Sequence, residues 1–437
     1  MKRVVIVGSG ISGLSLAFRL KRRGCEVTLY EKEGEAGGNI RTRSESGYLF
    51  ELGPQTILAD EKILAFFREL DLKPLRAEPS SKNRFIYRNG RLIPLPLNPV
   101  AFLTSPLLSL KAKLRVLKEP WIPPSAGEEE SVADFVRRRL GAEFLDYIVA
   151  PFVSGVYAGD PEQLSVRYAT RKVYALEREF GSLIRGALKK KALGPGGVLI
   201  SFEGGLRELV ERLSQELEVR KSCSVLSVRR KGEGFLLETC RGEDETETLV
   251  LSCPAYTTAS LLAEISGGAS RAFEEIDYVP LVVVNVGVKS GRVPEGFGLL
   301  VPRREGKRIL GVIFSSKLFP GRAPEGRDLL TVYLGGATDR EVIDLSEEEV
   351  TDIVVRELRD ILSTEDPEFV HVQKWRRAIP QYGIGYGRYL NLASELERSH
   401  RGLYLTGNYL SGVSVADCLR NSEEVLRRME EAGELPR

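Results

Sequence analysis

Three glycines in Gly8-Ser9-Gly10-Ile11-Ser12-Gly13 follow directly on the β-branched run Val4 to Val7 and open an amphipathic segment, Leu14 to Leu20. The chemistry such a cluster performs is anion binding by main chain. Gly8 permits a tight turn, Gly10 lets backbone amides approach a pyrophosphate, and Gly13 lets a helix pack closely on a strand, so that the helix N-terminus faces the phosphate charge. Ser9, Ile11 and Ser12 occupy the variable positions of that loop. A second strand, Val27 to Tyr30, ends at Glu31, with Lys32 beside it. An acid at roughly twenty residues from the glycines accepts hydrogen bonds from a ribose diol and excludes a ribose phosphate. This spacing identifies a dinucleotide site and leaves NAD and FAD as alternatives.

Where an NAD domain continues into its third strand and helix, this chain has Glu35-Ala36-Gly37-Gly38-Asn39-Ile40-Arg41-Thr42. Paired glycines give close backbone approach, and the planar fork of Arg41 offsets phosphate charge. The segment resembles the glycine-pair motif of the FAD amine-oxidase-like superfamily, which implies FAD as cofactor with Gly38, Asn39 and Arg41 among its contacts. Phe50-Glu51-Leu52-Gly53-Pro54-Gln55 reads as a strand end and tight turn. It is similar to the superfamily segment beneath the flavin ring, which implies contacts from Gly53, Pro54 and Gln55, although animal-type relatives often carry arginine where Gln55 stands. Leu403 to Thr406 reads as a strand, Gly407 and Asn408 as a turn, and Gly412 to Cys418 as the opening of a helix reaching about Ala432. This resembles the closing flavin motif, implying contacts from Asn408, Val413, Ser414 and Val415. A helix N-terminus aimed at the pyrimidine side of the ring stabilises the negative charge gathered there on reduction. A strand near Ser222 to Val228 resembles the one touching the adenosine half, with Val225 as its contact.

Three internal stretches narrow the family: Phe152-Val153-Ser154-Gly155-Val156-Tyr157-Ala158-Gly159-Asp160 running on to Arg167, Ile379-Pro380-Gln381-Tyr382, and Asn83-Arg84-Phe85-Ile86-Tyr87. Together they resemble the oxygen-dependent, FAD-containing protoporphyrinogen/coproporphyrinogen oxidase family over nearly the whole chain, in order and with similar gaps. One departure is Tyr386, where the family commonly has histidine. The resemblance implies a porphyrinogen substrate, a propionate held by Arg84, and a macrocycle sandwiched at Phe297, Gly298 and Leu300. It further implies three hydride transfers to flavin N5, with oxygen reoxidising the flavin and giving hydrogen peroxide, in heme biosynthesis. The flavin carries that chemistry, so no catalytic side chain is assigned. Arg84 leans toward protoporphyrinogen IX; coproporphyrinogen III stays open, and another amine-oxidase-like flavoenzyme is the more distant alternative.

These pieces lie far apart, so the elements that position them cannot be contiguous. A chain of 437 residues exceeds one hydrophobic core, and its 42% hydrophobic content can fill several. The expected fold class is mixed α/β and α+β: a discontinuous Rossmann-type FAD-binding domain (residues 1–78, 196–255 and 388–437), an inserted mixed-sheet substrate domain (79–91 and 256–387), and a mainly helical, membrane-facing domain (92–195). With 63 basic and 61 acidic residues the net charge of +2 gives no general case for nucleic acid. Five scattered cysteines without a C-x-x-C pair argue against a disulfide framework or metal site and fit a cytoplasmic location, and the two histidines leave little material for Ser-His catalysis or metal binding. The apolar stretch Leu92 to Trp121 is broken by five prolines and cannot span a bilayer. Leu107, Leu110, Leu114 and Leu117 share a helical face flanked by Lys111, Lys113, Arg115 and Lys118. A core helix and a helix lying on the cytoplasmic membrane face are both consistent with that pattern. A homodimer is a candidate assembly.

Overall fold

The computed structural model describes residues 2–125, 127, 129–190 and 196–436, so the expected end of the helical segment at 191–195 lies outside the described residues. A five-stranded, wholly parallel sheet runs in the order Glu218–Arg220, Glu26–Tyr30, Arg3–Val7, Thr248–Leu251, Leu403–Leu405. Its central strands are apolar at nearly every position because both faces are covered. Val4, Ile6 and Val250 face helices Ile11–Arg22 and Val415–Glu431, whereas Val5, Val7, Leu249 and Leu251 face the opposite core with Val228, Phe235 and Leu237 of an antiparallel three-stranded sheet.

The second large sheet has seven strands in the order Phe369–Pro380, Tyr278–Lys289, Arg327–Gly335, Ile309–Ile313, Gly298–Leu300, Arg84–Arg88, Arg91–Pro94. All neighbours are antiparallel except Gly298–Leu300 against Arg84–Arg88. Helix Glu347–Leu362 covers one face, packing Val354 and Leu358 on Val282, Val284 and Val332. Its start is fixed by a capping box in which Ser346 accepts from the Glu349 amide and Glu349 accepts from the Ser346 amide.

Between these bodies lie short helices, including Pro99–Thr104, Leu110–Leu117, Val132–Arg139, Ala150–Tyr157, Arg171–Phe180 and Leu183–Lys190. Short helices have little intrinsic stability, and a fully buried charge cluster pins these together. Arg139, with no solvent exposure, pairs with Glu119 and Glu177 and also donates to the carbonyls of Ile122 and Gly181. Glu119 in turn accepts from the amides of Leu183 and Ile184, so the same carboxylate caps helix Leu183–Lys190. No described helix is long and apolar enough to cross a membrane.

Three sequence expectations are corrected. The strand expected near Ser222 to Val228 begins only at Val225 and runs to Lys231, because Ser222 takes a left-handed φ of 50°; the strand beside Glu26–Tyr30 is Glu218–Arg220. Asn408 opens a short helix, Asn408–Ser411, rather than completing a turn. Leu107 precedes its helix and is buried with Ile86 and Ile93, and Lys113 is buried too, donating to the carbonyls of Leu103 and Ser105 instead of flanking a face in solvent.

Replacing Arg139 by methionine leaves the buried Glu119 carboxylate without a cation among the described residues, while Glu177 keeps only Arg138. Such a loss costs about 3–5 kcal/mol, so Arg139→Met should lower the thermal unfolding midpoint clearly, as read by circular dichroism, whereas a surface control such as Arg376→Met should not.

Candidate active site

At the end of the first strand, Gly8 takes φ +102°, and a β-carbon there would stand 2.9 Å from the Ser252 carbonyl oxygen. A β-carbon on Gly13 would stand 2.2 Å from the Gly8 carbonyl oxygen, so helix and strand meet at a distance only glycine allows. Over Gly10 there is open space, and helix Ile11–Arg22 starts there without a side-chain cap. Its free amides therefore face a positively polarised hollow. Glu31 is buried beside it, accepting from the Ser9 amide at 3.0 Å, the Ser9 hydroxyl at 2.7 Å and the Glu33 amide at 3.0 Å. Ile11 and Ser12 are buried in the helix start. Lys32 is exposed and lies 3.6 Å from the Glu33 carboxylate. The amides of Ser222 and Cys223 donate to the carbonyls of Glu33 and Glu31, which brings Val225 to within two residues of that contact at the start of its strand.

The glycine pair closes over this loop. The Gly37 amide donates to the Ser9 carbonyl at 2.8 Å, and Gly38 lies against the Gly10 α-carbon. Gly53 packs so tightly on the Asn39 carbonyl that a β-carbon would stand 2.1 Å from it, while the Leu52 amide donates to the Arg41 carbonyl. Asn39 itself is exposed and Pro54 half-buried. Arg41 is half-buried, lies 5.5 Å from the Trp375 ring, and has no carboxylate partner among the described residues. An uncapped helix, an open glycine cradle and an unpaired guanidinium fit a diphosphate. An acid poised for a ribose completes the requirements of a dinucleotide.

The segment carrying Gln55 rests on the substrate sheet through side chains that sequence reading missed. Asn285 donates to the Glu51 carbonyl at 3.0 Å, Trp375 donates to the Leu52 carbonyl at 2.7 Å, and the Thr331 hydroxyl lies 2.8 Å from Asn285 Oδ1, to which it donates, and 3.3 Å from Gln55 Oε1. A usable signal existed for Asn285, a lone polar residue inside the apolar run Val282 to Val288. Glu51 is buried and accepts from Thr42 and the Leu206 amide at 2.7 Å each; burial outweighs these bonds and pushes its carboxyl from the ordinary 4.5 up to about 7. At the far end of the chain, Ser414 caps helix Val415–Glu431 by accepting from the Asp417 amide at 3.1 Å, with Val415 buried and Val413 and Asn408 half-buried at its mouth. Tyr386 is fully buried, 4.5 Å from Tyr382, and donates to the Tyr409 carbonyl at 2.8 Å, so here a phenol braces the closing motif.

On the substrate sheet Gly298 stands in register with Arg84 and Leu300 with Ile86. Partners in register share a face, so Arg84 and Leu300 look away from helix Glu347–Leu362. Leu300 packs against Gly155 of helix Ala150–Tyr157. The Arg84 guanidinium lies 4.9 Å from the centre of the half-buried Phe297 ring. Burial lowers its proton affinity, and no neighbouring charge offsets that. It is a partly desolvated cation on an apolar wall, without an acidic partner among the described residues.

A family model for flavin-containing amine oxidoreductases matches residues 11–425. The mitochondrial protoporphyrinogen oxidase of Nicotiana tabacum is 33% identical over 96% of this chain and 92% of its own length. The coproporphyrinogen III oxidase of Bacillus subtilis strain 168 is 29% identical over 96% of each. A crystal structure from Exiguobacterium sp. 255-15, described as a candidate protoporphyrinogen oxidase, superposes with a TM-score of 0.85 at 25% identity, covering 98% of this chain and 99% of that one. The chain therefore belongs to the flavin-containing amine oxidoreductases, in the branch formed by the protoporphyrinogen oxidases. It is an FAD-dependent oxidoreductase.

The raised Glu51 carboxyl has a signed consequence. Between 4.5 and about 7 the folded protein keeps a proton that the unfolded chain has released, so this group's contribution to stability falls as pH rises through that window and its cost is complete above it. Glu51→Gln, whose Oε1 can accept from the Leu206 amide while its Nε2 donates to the Thr42 hydroxyl, should raise the unfolding midpoint at pH 8 and leave it nearly unchanged at pH 4.5.

Proposed function

We propose that this enzyme oxidises protoporphyrinogen IX to protoporphyrin IX, releasing six electrons in three two-electron steps, with molecular oxygen as terminal acceptor. The observation that carries this reading is Arg84: a half-buried cation with no acidic partner, set beside Phe297 on an apolar wall. A flexible apolar macrocycle with carboxylates on one edge complements both features. Pairing a carboxylate with a desolvated guanidinium gives a charge-assisted, bidentate contact that fixes orientation as well as affinity.

Bound FAD supplies the hydride acceptor and the oxygen-reactive centre. The chain supplies placement. The hollow over Gly10, with Glu31 and Arg41, holds the dinucleotide; the segment Glu51 to Gln55, tied to Asn285, Thr331 and Trp375, sets the flavin floor relative to the substrate sheet. Arg84 anchors a propionate, and Phe297, Leu300 and helix Ala150–Tyr157 wall off water. No side-chain base is required beyond a route for protons to solvent.

The helical region gives a second element of the reading, peripheral attachment to a membrane. Leu97, Val100, Leu103, Leu110, Leu114, Leu117 and Trp121 are all exposed within one short stretch, and Lys111 and Lys118 are exposed with them. Apolar side chains concentrated in this way on short helices, bordered by lysine, suit the headgroup boundary of an anionic bilayer. A depression lined by Leu92, Ile93, Leu95 and Ala101 opens beside that face, a path by which an apolar product could leave.

Aerobic porphyrin fluorescence of FAD-loaded protein, offered protoporphyrinogen IX and coproporphyrinogen III in parallel, tests the substrate. Faster turnover of the first is expected; preference for the second would move the enzyme to the other named activity of its relatives. Arg84→Ala should raise KM for the preferred porphyrinogen by roughly tenfold or more, on the order of 1.5–3 kcal/mol for a bond to a charged group, with kcat little changed. An unchanged KM would remove Arg84 from the substrate site. Leu110→Glu with Leu114→Glu should abolish co-sedimentation with anionic liposomes while leaving turnover of detergent-dispersed substrate intact.

A further inference from the structure

We propose that Cys223 and Cys240 are a redox modification site that closes to a reversible disulfide at the ribose end of the dinucleotide-binding sheet. The two sulfurs stand 3.3 Å apart. Their backbones are already joined, because the Cys240 amide donates to the Ser224 carbonyl at 3.0 Å. Bond formation therefore asks for side-chain rotation and a small approach, not for a rearranged chain. The other cysteines, Cys25, Cys253 and Cys418, are buried and have no sulfur neighbour among the described residues.

The two thiols differ in access, which divides their roles. Cys240 is exposed and Cys223 is buried, so Cys240 meets an oxidant first and Cys223 resolves it. Lys221 and Arg241 flank the pair in sequence, with Arg241 donating to the Lys221 carbonyl at 3.1 Å. Burial and the neighbouring Cys240 sulfur hold the Cys223 thiol above its ordinary value.

The oxidant is a hydroperoxide. The Cys240 thiolate attacks one peroxide oxygen, giving a sulfenic acid and, from hydrogen peroxide, one water. Cys223 sulfur then attacks the sulfenic sulfur, and the departing hydroxide takes up the Cys223 proton as a second water. Two thiols have lost two electrons and two hydrogens to one peroxide.

The location gives the bond an effect. The amides of Ser222 and Cys223 hold the carbonyls of Glu33 and Glu31, so the bridge staples the hairpin carrying Cys240 to the loop carrying the ribose acid. Closing that loop in the unfolded chain also restricts it and stabilises the fold.

Reduced, FAD-loaded protein treated with an equivalent of hydrogen peroxide and then alkylated under denaturing conditions reads this directly, with no porphyrinogen involved. The expected result is a fall in titratable thiols from five to three, with the tryptic peptides 222–229 and 232–241 recovered as one species two hydrogens lighter than their sum and separated by dithiothreitol. The oxidised protein should also unfold at a higher temperature than the reduced one, and Cys240→Ser should show neither the joined peptide nor that shift. Recovery of both peptides alkylated, of Cys240 as sulfinic acid beside an alkylated Cys223, or of a bond between two chains would each overturn the proposal.

Discussion

The contact between Gly13 and the Gly8 carbonyl is the constraint on which the rest is built. Because no side chain fits there, helix Ile11–Arg22 can lie close enough to the central strand for its first turn to point at the hollow over Gly10. Everything that addresses the phosphates inherits its position from this approach. Gly37 and Gly38 close on Ser9 and Gly10, Gly53 closes on Asn39, and each step is a backbone contact too near for a methyl group or held by a positive φ. The site is thus made of main chain first, with Glu31 and Arg41 added as its two charges.

A second constraint joins cofactor to substrate. The seven-stranded sheet does not merely adjoin the parallel-sheet body. Three of its strands reach into the segment Glu51 to Gln55 with Asn285, Thr331 and Trp375, which contact the Glu51 carbonyl, the Gln55 side chain and the Leu52 carbonyl. Gly287, on the same strand as Asn285, leaves the space that the Tyr48 ring fills. The relative position of the two bodies is therefore set by short, directional bonds at their seam, and Arg84 is carried on the same sheet.

How much of this was legible in the sequence depended on the range of the interaction. The glycine loop and the helix start capped by Ser414 are marked by neighbouring residues, and Glu31 stands at a fixed offset of about twenty residues from the glycines, so type and spacing declared these elements. Ser222 shows the limit: its left-handed conformation ends one run and separates it from the next, yet serine carries no signal for that state as glycine would. Lys113 and Leu107 show another. Helical periodicity placed them on a wet, basic amphipathic segment, but burial was decided by the carbonyls of Leu103 and Ser105 and by the Ile86–Ile93 hairpin, which no local pattern contains. The Arg139 cluster and the Cys223–Cys240 contact join residues brought together only by tertiary structure, and spacing could not reveal them.

The order of strands in the parallel sheet has a temporal meaning. Its first strand begins at Arg3, its middle neighbour ends at Leu251, and its edge is completed only by Leu403–Leu405 and the helix that follows. While the ribosome works through the intervening four hundred or so residues, roughly twenty seconds to over a minute at ordinary elongation rates, the apolar faces of Val4 to Val7 wait without their final cover. A chain arranged in this way depends on its protection during synthesis, by chaperones or by early docking of the substrate sheet, as much as on the stability of the finished fold.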